Sequence, residues 1–321
     1  SSDVCSSDLP WMAGVNPCAE ELLANKGVCN LSELVLTRFL TIEDAAEAIR
    51  ILARANYRQT CVNFDDGILQ RSWHEVNSHL HLCGVGLTGI SQWLGTLTCY
   101  QEPGEMLDYL AYCARSGAHG MAHQLGMPSP KHVTTTKPSG TLSKVADCSE
   151  GVHDAIGEFV INTIMLSAHD PLVGQLQAAN YRVRPHPQLS ESMLVEVPIH
   201  FPGATGRPAS AIEQLERYKL MMQCYVDSNC SITVSYSQDE VRDICAWLYK
   251  NWDLYVGVSF MPRIDATKTA EELGYSYLPQ AVVTREAYHA YADTLLPVDL
   301  DSVVGNDLIG DDCAGGACPV R

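Results

Sequence analysis

Four sets of residues have types and spacings that suit chemistry. The first is Asn16-Pro17-Cys18-Ala19-Glu20. Side chains alternate along an extended segment, so positions 16, 18 and 20 would share one side. An amide, a sulfur and a base would then converge, with Pro17 stiffening the backbone between them. A plain loop holding a buried cysteine has the same pattern. The second is Cys29, eleven positions after Cys18, in VCNLSEL. Taken alone it reads as a thiol buried where a loop meets a helix. The third is Lys137 followed by Pro138, Ser139, Gly140, Thr141, Leu142 and Ser143. A strand, a glycine-containing turn and a helix start would offer free N–H groups and hydroxyls to a phosphate. A simple capped turn reads alike. Thr135 and Thr136 precede it and could line the same pocket. The fourth is the terminal pair Cys313 and Cys318 in CAGGACPVR. Two thiols on an accessible terminus suit thiol–disulfide exchange. Half of a zinc site is the alternative, but no second cysteine or cysteine–histidine pair lies near in sequence.

Strand and helix patterns must position these groups. Residues 10–30 form a loop region marked by proline, glycine and asparagine. Thr41 caps a predicted helix through EDAAEAIRILARAN, with apolar residues at helical spacing. Residues 84–97, GVGLTGISQWLGTL, read as a glycine-rich turn feeding a short helix. A long helix opens at Pro103 and closes near Pro128. Beyond it HVTTT, LVEVPIHF, CSITVSY and YVGVSFMP read as strands. Helices ASAIEQLERYKLMMQCYVDS and QDEVRDICAWLYKNW lie between the later ones. The alternation predicts an α/β fold with largely buried strands. From Val298 onward the chain is acidic, glycine-rich and aperiodic, which predicts a mobile tail over 299–321.

Bulk properties narrow the class. The chain has 321 residues, 46% hydrophobic and 18% charged, in the range of globular domains. No stretch approaches the ~20 apolar residues of a membrane span. A net charge of −17 repels phosphate backbones and argues against a nucleic-acid binder. A small phosphorylated substrate remains compatible, because a local loop can bind it. Thirteen cysteines, odd in number and mostly scattered, point to a reducing compartment, the cytoplasm, and not to a disulfide scaffold. Most of them read as buried small apolar residues. Residues 1–9, SSDVCSSDL, repeat SSD and lack a signal peptide's apolar stretch. They resemble translated adapter sequence, and Cys5 is set aside with them.

Taken together and in this order, the motifs resemble the ribonucleotide reductases. The closest likeness is to the monomeric, adenosylcobalamin-dependent ribonucleoside-triphosphate reductases. The likeness runs from about Pro10 to Arg321 and includes NPCAE, the cysteine eleven positions on, GVGLTGI, TTTKPSGTLSK, SEGVH, DPLV, VSFMPR and CAGGACPVR. It implies that residues 10–298 are the C-terminal part of a ten-stranded α/β barrel with a central finger loop. Cys18 would form the thiyl radical that removes hydrogen from ribose C3′. Glu20 would take the 3′-hydroxyl proton, and Asn16 would hold a substrate hydroxyl. Cys29 would be one of two reducing thiols, its partner lying upstream of residue 1. Cys313 and Cys318 would re-reduce that pair and be reduced in turn by thioredoxin. Pro138, Ser139, Gly140, Thr141, Leu142 and Ser143 would bind the substrate phosphates, with no protein metal site implied.

The radical source follows from the same likeness. No Tyr-Tyr pair occurs, as the classes with a separate metal-cofactor subunit would carry, and no Arg-x-Cys-Gly, as the glycyl-radical class would carry. Adenosylcobalamin remains. No D-x-H-x-x-G motif for cobalt ligation is present, and this class is expected to manage without one. Residues 157–163 carry no arginine where relatives often do. The front of the barrel, the allosteric nucleotide site and the second thiol are expected upstream, so the chain alone is expected to be inactive. A reductase of ribonucleoside diphosphates is the nearest alternative; a thiol or zinc module and a degenerate scaffold are more distant ones.

Overall fold

A computed structural model of the chain describes residues 12–298 apart from 66, 99, 205, 207 and 208. The chain opens with strands β1 (Met12–Val15), β2 (Leu22–Ala24) and β3 (Leu31–Val35), then helices α1 (Ile42–Gln59) and α2 (Arg71–Leu80). Strand β4 (Gly84–Thr88) leads into α3 (Ile90–Thr96), α4 (Pro103–Leu125) and the short α5 (Leu142–Val145). Next come β5 (Phe159–Ser167), α6 (Pro171–Ala178), β6 (Arg182–Pro185) and β7 (Ser192–His200). Then follow α7 (Ala211–Cys224), β8 (Thr233–Tyr236), α8 (Val241–Lys250), β9 (Ser259–Pro262), β10 (Gln280–Val282) and α9 (Arg285–Ala292). Two compact units divide the chain, Ser1–Asp154 with Pro208–Arg263 and Ala155–Arg207 with Ile264–Arg321.

The first unit alternates strand and helix. β3 pairs in parallel with β4 from Leu31↔Gly84 to Val35↔Thr88. Parallel bridges then link Val85 to Thr134 and Thr136 to Cys230, and β8 pairs in parallel with β9. A row of five parallel segments results, in the order β3, β4, 133–136, 230–236 and β9, each step crossing through a helix. HVTTT is therefore a bridging segment and not a full strand.

Helix chemistry explains the crossovers. Thr41 accepts a hydrogen bond from the Asp44 N–H at 3.2 Å, capping α1. Ala45, Ile49, Ala53 and Tyr57, spaced by four, are buried on its inner face. Pro103 starts α4, and Gly126, left-handed at φ 64°, ends it. The two helices approach closely at Gly117, where a Cβ would lie 2.4 Å from the Arg50 carbonyl oxygen. Ser210 and Glu213 form a capping box on α7. Together α1, α4 and α7 cover the core around Val85, Leu87, Leu107, Leu215 and Tyr218.

Residues 84–88 are a strand, which corrects the turn expected from their glycines. All five are buried, and Val85 and Leu87 supply apolar surface. The glycines admit neighbours: a Cβ at Gly84 would meet Glu21 Oε1 at 2.3 Å, and one at Gly86 would meet Glu33 Cγ at 3.3 Å.

The second unit is an antiparallel sheet in the order β10-β5-β7-β6. The long β5–β7 ladder runs from Phe159↔His200 to Ser167↔Ser192. Its small core gathers Val160, Ile199 and Phe201. The chain is thus a mixed α/β protein. Its described strands form four sheets, two of them joined into the row by the isolated bridges, and no closed barrel. Among the described residues no helix is long and apolar enough to cross a membrane.

Candidate active site

β1 and β2 form an antiparallel hairpin, and its tip carries Asn16, Cys18 and Glu20. The tip is a turn, which corrects the extended geometry expected for this segment. The Ala19 N–H donates to the Asn16 carbonyl at 2.8 Å, and Ala19 takes the left-handed φ of 60°. Asn16 N–H and the Glu21 carbonyl close the base of the turn at 3.1 Å. The turn buries Asn16 and Glu20 and leaves the Cys18 thiol half-buried.

Residues far along the chain fix that tip. Asn229 Nδ2 donates to the Ala19 carbonyl at 2.7 Å, and the Asn229 N–H donates to the Glu20 carbonyl at 3.1 Å. The Thr135 hydroxyl reaches the Glu20 carbonyl at 2.5 Å and the Asn229 carbonyl at 2.9 Å. Tyr218 steadies Asn229 by donating its hydroxyl to Oδ1 at 2.9 Å. Apart from half-buried Ala19 these residues are buried, and each of these peptide carbonyls has a hydrogen-bond donor.

Cys29 precedes β3 and meets the tip. Asn16 Nδ2 lies 3.5 Å from Cys29 Sγ, and Asn16 Oδ1 accepts from the Glu21 N–H at 3.0 Å. Glu20 and Glu21 are each 1% exposed. Burial pushes the Glu21 carboxyl up to about 8; the nearby Cys29 thiol lowers it and the Glu20 charge raises it. The Cys29 thiol is pushed up by burial, then by Glu21 and Glu20. Glu33 on β3 is also raised by burial, against the pull of Lys137, and Glu20 adds to the rise. Three carboxyls and one thiol thus share one poorly solvated neighbourhood.

The 138–143 loop is knotted into it. Ser139, left-handed at φ 60°, donates its hydroxyl to Glu33 Oε2 at 2.8 Å. Lys137 Nζ pairs with the same oxygen at 3.1 Å. Gly151 lies against the loop, where a Cβ would come 2.4 Å from the Lys137 carbonyl oxygen. Gly140 and Thr141 lead into α5, which is only four residues long. Ser143 is buried, and its N–H donates to the Ser139 carbonyl at 3.3 Å. Lys144 pairs with Glu150, and burial lowers its ammonium to about 8. Thr136 is fully buried in the parallel row beside the loop. Leu142 is partly exposed, and Pro138 lines the loop's backbone against Gly151.

Sequence reading missed Glu21, Glu33 and Asn229. An acid inside an apolar strand, as in LSELV, is a usable local signal for Glu33; nothing local marks Asn229. Cys313 and Cys318 lie outside the described residues. Among the described residues no group of three or more His, Cys, Asp or Glu gathers as a metal site.

No model of a known protein family matches the chain. Curated relatives do. The adenosylcobalamin-dependent ribonucleoside-triphosphate reductase of Lacticaseibacillus paracasei is 27% identical over 356 residues, covering 97% of this chain and 46% of that protein. The enzyme of the same name from Lactobacillus acidophilus is 26% identical, covering 96% and 45%. That of Lactobacillus leichmannii is 25% identical, covering 96% and 46%. The chain spans about half the length of the curated relatives it matches. Among solved structures, a B12-dependent (class II) ribonucleotide reductase superposes with a TM-score of 0.74 at 23% identity, over 91% of this chain and 44% of that one. The alpha subunit of the Actinobacillus ureae class Id ribonucleotide reductase gives 0.55 at 16% identity, over 79% and 55%. The resemblance read from the motifs is borne out by these relatives.

Proposed function

We propose that this chain is the thiol-bearing C-terminal part of an adenosylcobalamin-dependent reductase of ribonucleoside triphosphates. The observation that carries the reading is the clamped hairpin tip, whose Asn16 amide touches Cys29 at 3.5 Å. The row of five parallel segments would form one half of the ten-stranded barrel, with the β1–β2 hairpin as its finger.

Each residue then has a part. The Cys18 sulfur, as a thiyl, takes hydrogen from ribose C3′ and becomes a thiol. Glu20 accepts the 3′-hydroxyl proton as the carbon radical forms, because a carboxylate within hydrogen-bond reach lowers that barrier. Asn16 orients a ribose hydroxyl. The 2′-hydroxyl leaves as water. Cys29 and a second thiol supply two electrons and two protons and end as a disulfide, and Cys18 returns its hydrogen to C3′ and is a thiyl again, so one nucleotide and two thiols give one deoxynucleotide, one disulfide and one water. In the complete enzyme the surrounding barrel would keep solvent from the radical. The 138–143 loop would meet the triphosphate with its N–H groups, while Glu33 and Lys137 fix its shape. Cys313 and Cys318 would re-reduce the disulfide and receive electrons from thioredoxin. An allosteric nucleotide would act through the upstream part.

The residues fit adenosylcobalamin through one feature: the Cys18 thiol is half-buried and reachable, while its neighbours Asn16 and Glu20 are enclosed. When bound, the cofactor supplies the radical equivalent that Cys18 takes up. No described side chain is assigned to cobalt.

The test uses the complete reading frame that encodes this chain, assayed with adenosylcobalamin and a dithiol on ribonucleoside triphosphates and diphosphates. Deoxynucleotide should form from the triphosphates, and Cys18→Ser should abolish it while the circular dichroism spectrum is kept. Turnover by the serine variant overturns the reading; turnover of diphosphates alone moves it to the related substrate class.

A further inference from the structure

The segment Ser149-Glu150-Gly151-Val152-His153-Asp154 has no part in the reaction above, yet it carries the phosphate loop on its back. Gly151, left-handed at φ 50°, lies under the start of that loop. A Cβ there would come 2.4 Å from the Lys137 carbonyl oxygen and 3.3 Å from that of Pro138. At the other end Glu150 pairs with Lys144 on α5, and the Cys148 N–H donates to the Ser143 carbonyl at 3.0 Å. Both ends of the loop therefore rest on one turn.

The turn is held in its own right by α7 and β8. Arg217 donates to the Val152 carbonyl at 2.9 Å and pairs with Asp154 at 3.0 Å. β8 is reached through the His153 ring. The Ser231 N–H donates to the Thr136 carbonyl at 2.8 Å, and Thr233, two residues on, presents its N–H to the same side. There the 133–136 segment has already turned away into the loop. His153 Nε2 takes that N–H at 3.0 Å, in place of a strand, while Nδ1 lies 3.1 Å from the Glu150 carbonyl oxygen. A backbone N–H only donates and a carbonyl only accepts. Nε2 must then carry the lone pair and Nδ1 the proton, so one neutral tautomer fits. An imidazolium would set two donors face to face at Thr233.

We propose that His153 is a positioning residue for the substrate phosphates: its neutral ring braces the 149–154 turn against β8, and the turn keeps the 138–143 loop in shape. The purpose rests on the reading of that loop as the phosphate site; the brace itself does not. Burial, then the Arg217 charge, push the imidazole down to about 4, with Asp154 opposing and Lys144 adding to the fall. The ring thus keeps the fitting form at neutral pH.

Hydrogen exchange and triphosphate turnover of the complete enzyme test this together. His153→Ala should speed exchange at the amides of Thr233, Ser143 and Cys148 and leave those of α1 unchanged. It should raise KM for ribonucleoside triphosphates about tenfold, on the order expected for one lost hydrogen-bonded brace, with kcat within about twofold. His153→Gln, whose Oε1 can accept from Thr233, should restore both. His153→Asn, too short to reach Thr233, should not. Faster exchange at Thr233 with Ser143, Cys148 and KM unmoved overturns the proposal, and so does an alanine variant that exchanges like the parent. Should the alanine variant lose protection throughout, the other two decide: equal exchange at Thr233 in His153→Gln and His153→Asn overturns it. A complete enzyme that forms no deoxynucleotide removes the reductase reading, while exchange at Ser143 and Cys148 still decides the brace.

Discussion

Glu21 and Glu33 are acids held where water does not solvate them, and this makes stability depend on pH. Glu21 is raised from 4.5 to about 8. Between those values the folded chain holds a proton that the unfolded chain has released. Its contribution is full below about 4.5, falls as pH rises, and levels off above about 8. Glu21→Gln removes that slope. Urea midpoints of parent and variant should be closest near pH 4.5 and separate toward pH 8, with the variant the more stable. Glu33, raised in the same direction, should leave a smaller residual slope in both. Gly84 is the steric counterpart. Gly84→Ala would set a methyl 2.3 Å from Glu21 Oε1 and 2.4 Å from Leu31 Cδ2. A cost of about 1–3 kcal/mol is expected in denaturant titrations, as for other overpacked sites.

At the scale of elements, the hairpin tip depends on partners it does not carry. Asn229→Ala removes the bond to the Ala19 carbonyl and takes away the acceptor of the Tyr218 hydroxyl proton, leaving that oxygen the Val256 N–H. A loss of about 1–3 kcal/mol is expected, with faster hydrogen exchange at the amides of Ala19 and Glu21; unchanged exchange there would refute the clamp. The same dependence explains what could be read from sequence. α1, α4 and α7 were legible because caps and apolar spacing are local signals. The chemistry of Asn16, Cys18, Glu20 and Cys29 was legible in residue type and order. Their geometry was not, because the left-handed Ala19 replaces alternation with a turn. β4 was hidden because Gly84 and Gly86 look like turn residues until Glu21 and Glu33 are seen lying against them. The grip of Thr135 and Asn229 joins residues 115 and 210 positions apart, a range at which no local pattern speaks. The antiparallel ladder of β5 and β7 escaped in part for a similar reason: Asn162 and Thr163 interrupt the apolar run of β5.

For the molecule as a whole, the parallel row in the first unit ends on two edges, β3 and β9, that pair with no further strand among the described residues. β9 also exposes Phe260 and Met261. Parallel sheets are normally covered, and open edges invite association. The chain on its own should therefore self-associate in light scattering as its concentration rises. Salt should strengthen this by screening the net charge of −17, and Met261→Lys should weaken it. A monomer at every concentration and salt would contradict the open-edge account. The clamp on the hairpin tip also has a bearing on biosynthesis. A ribosome delivers Ala19 first and its anchor Asn229 only 210 residues later, roughly ten to forty seconds at common elongation speeds. Throughout that interval the nascent chain carries an ordinary cysteine, and only a finished chain can aim it.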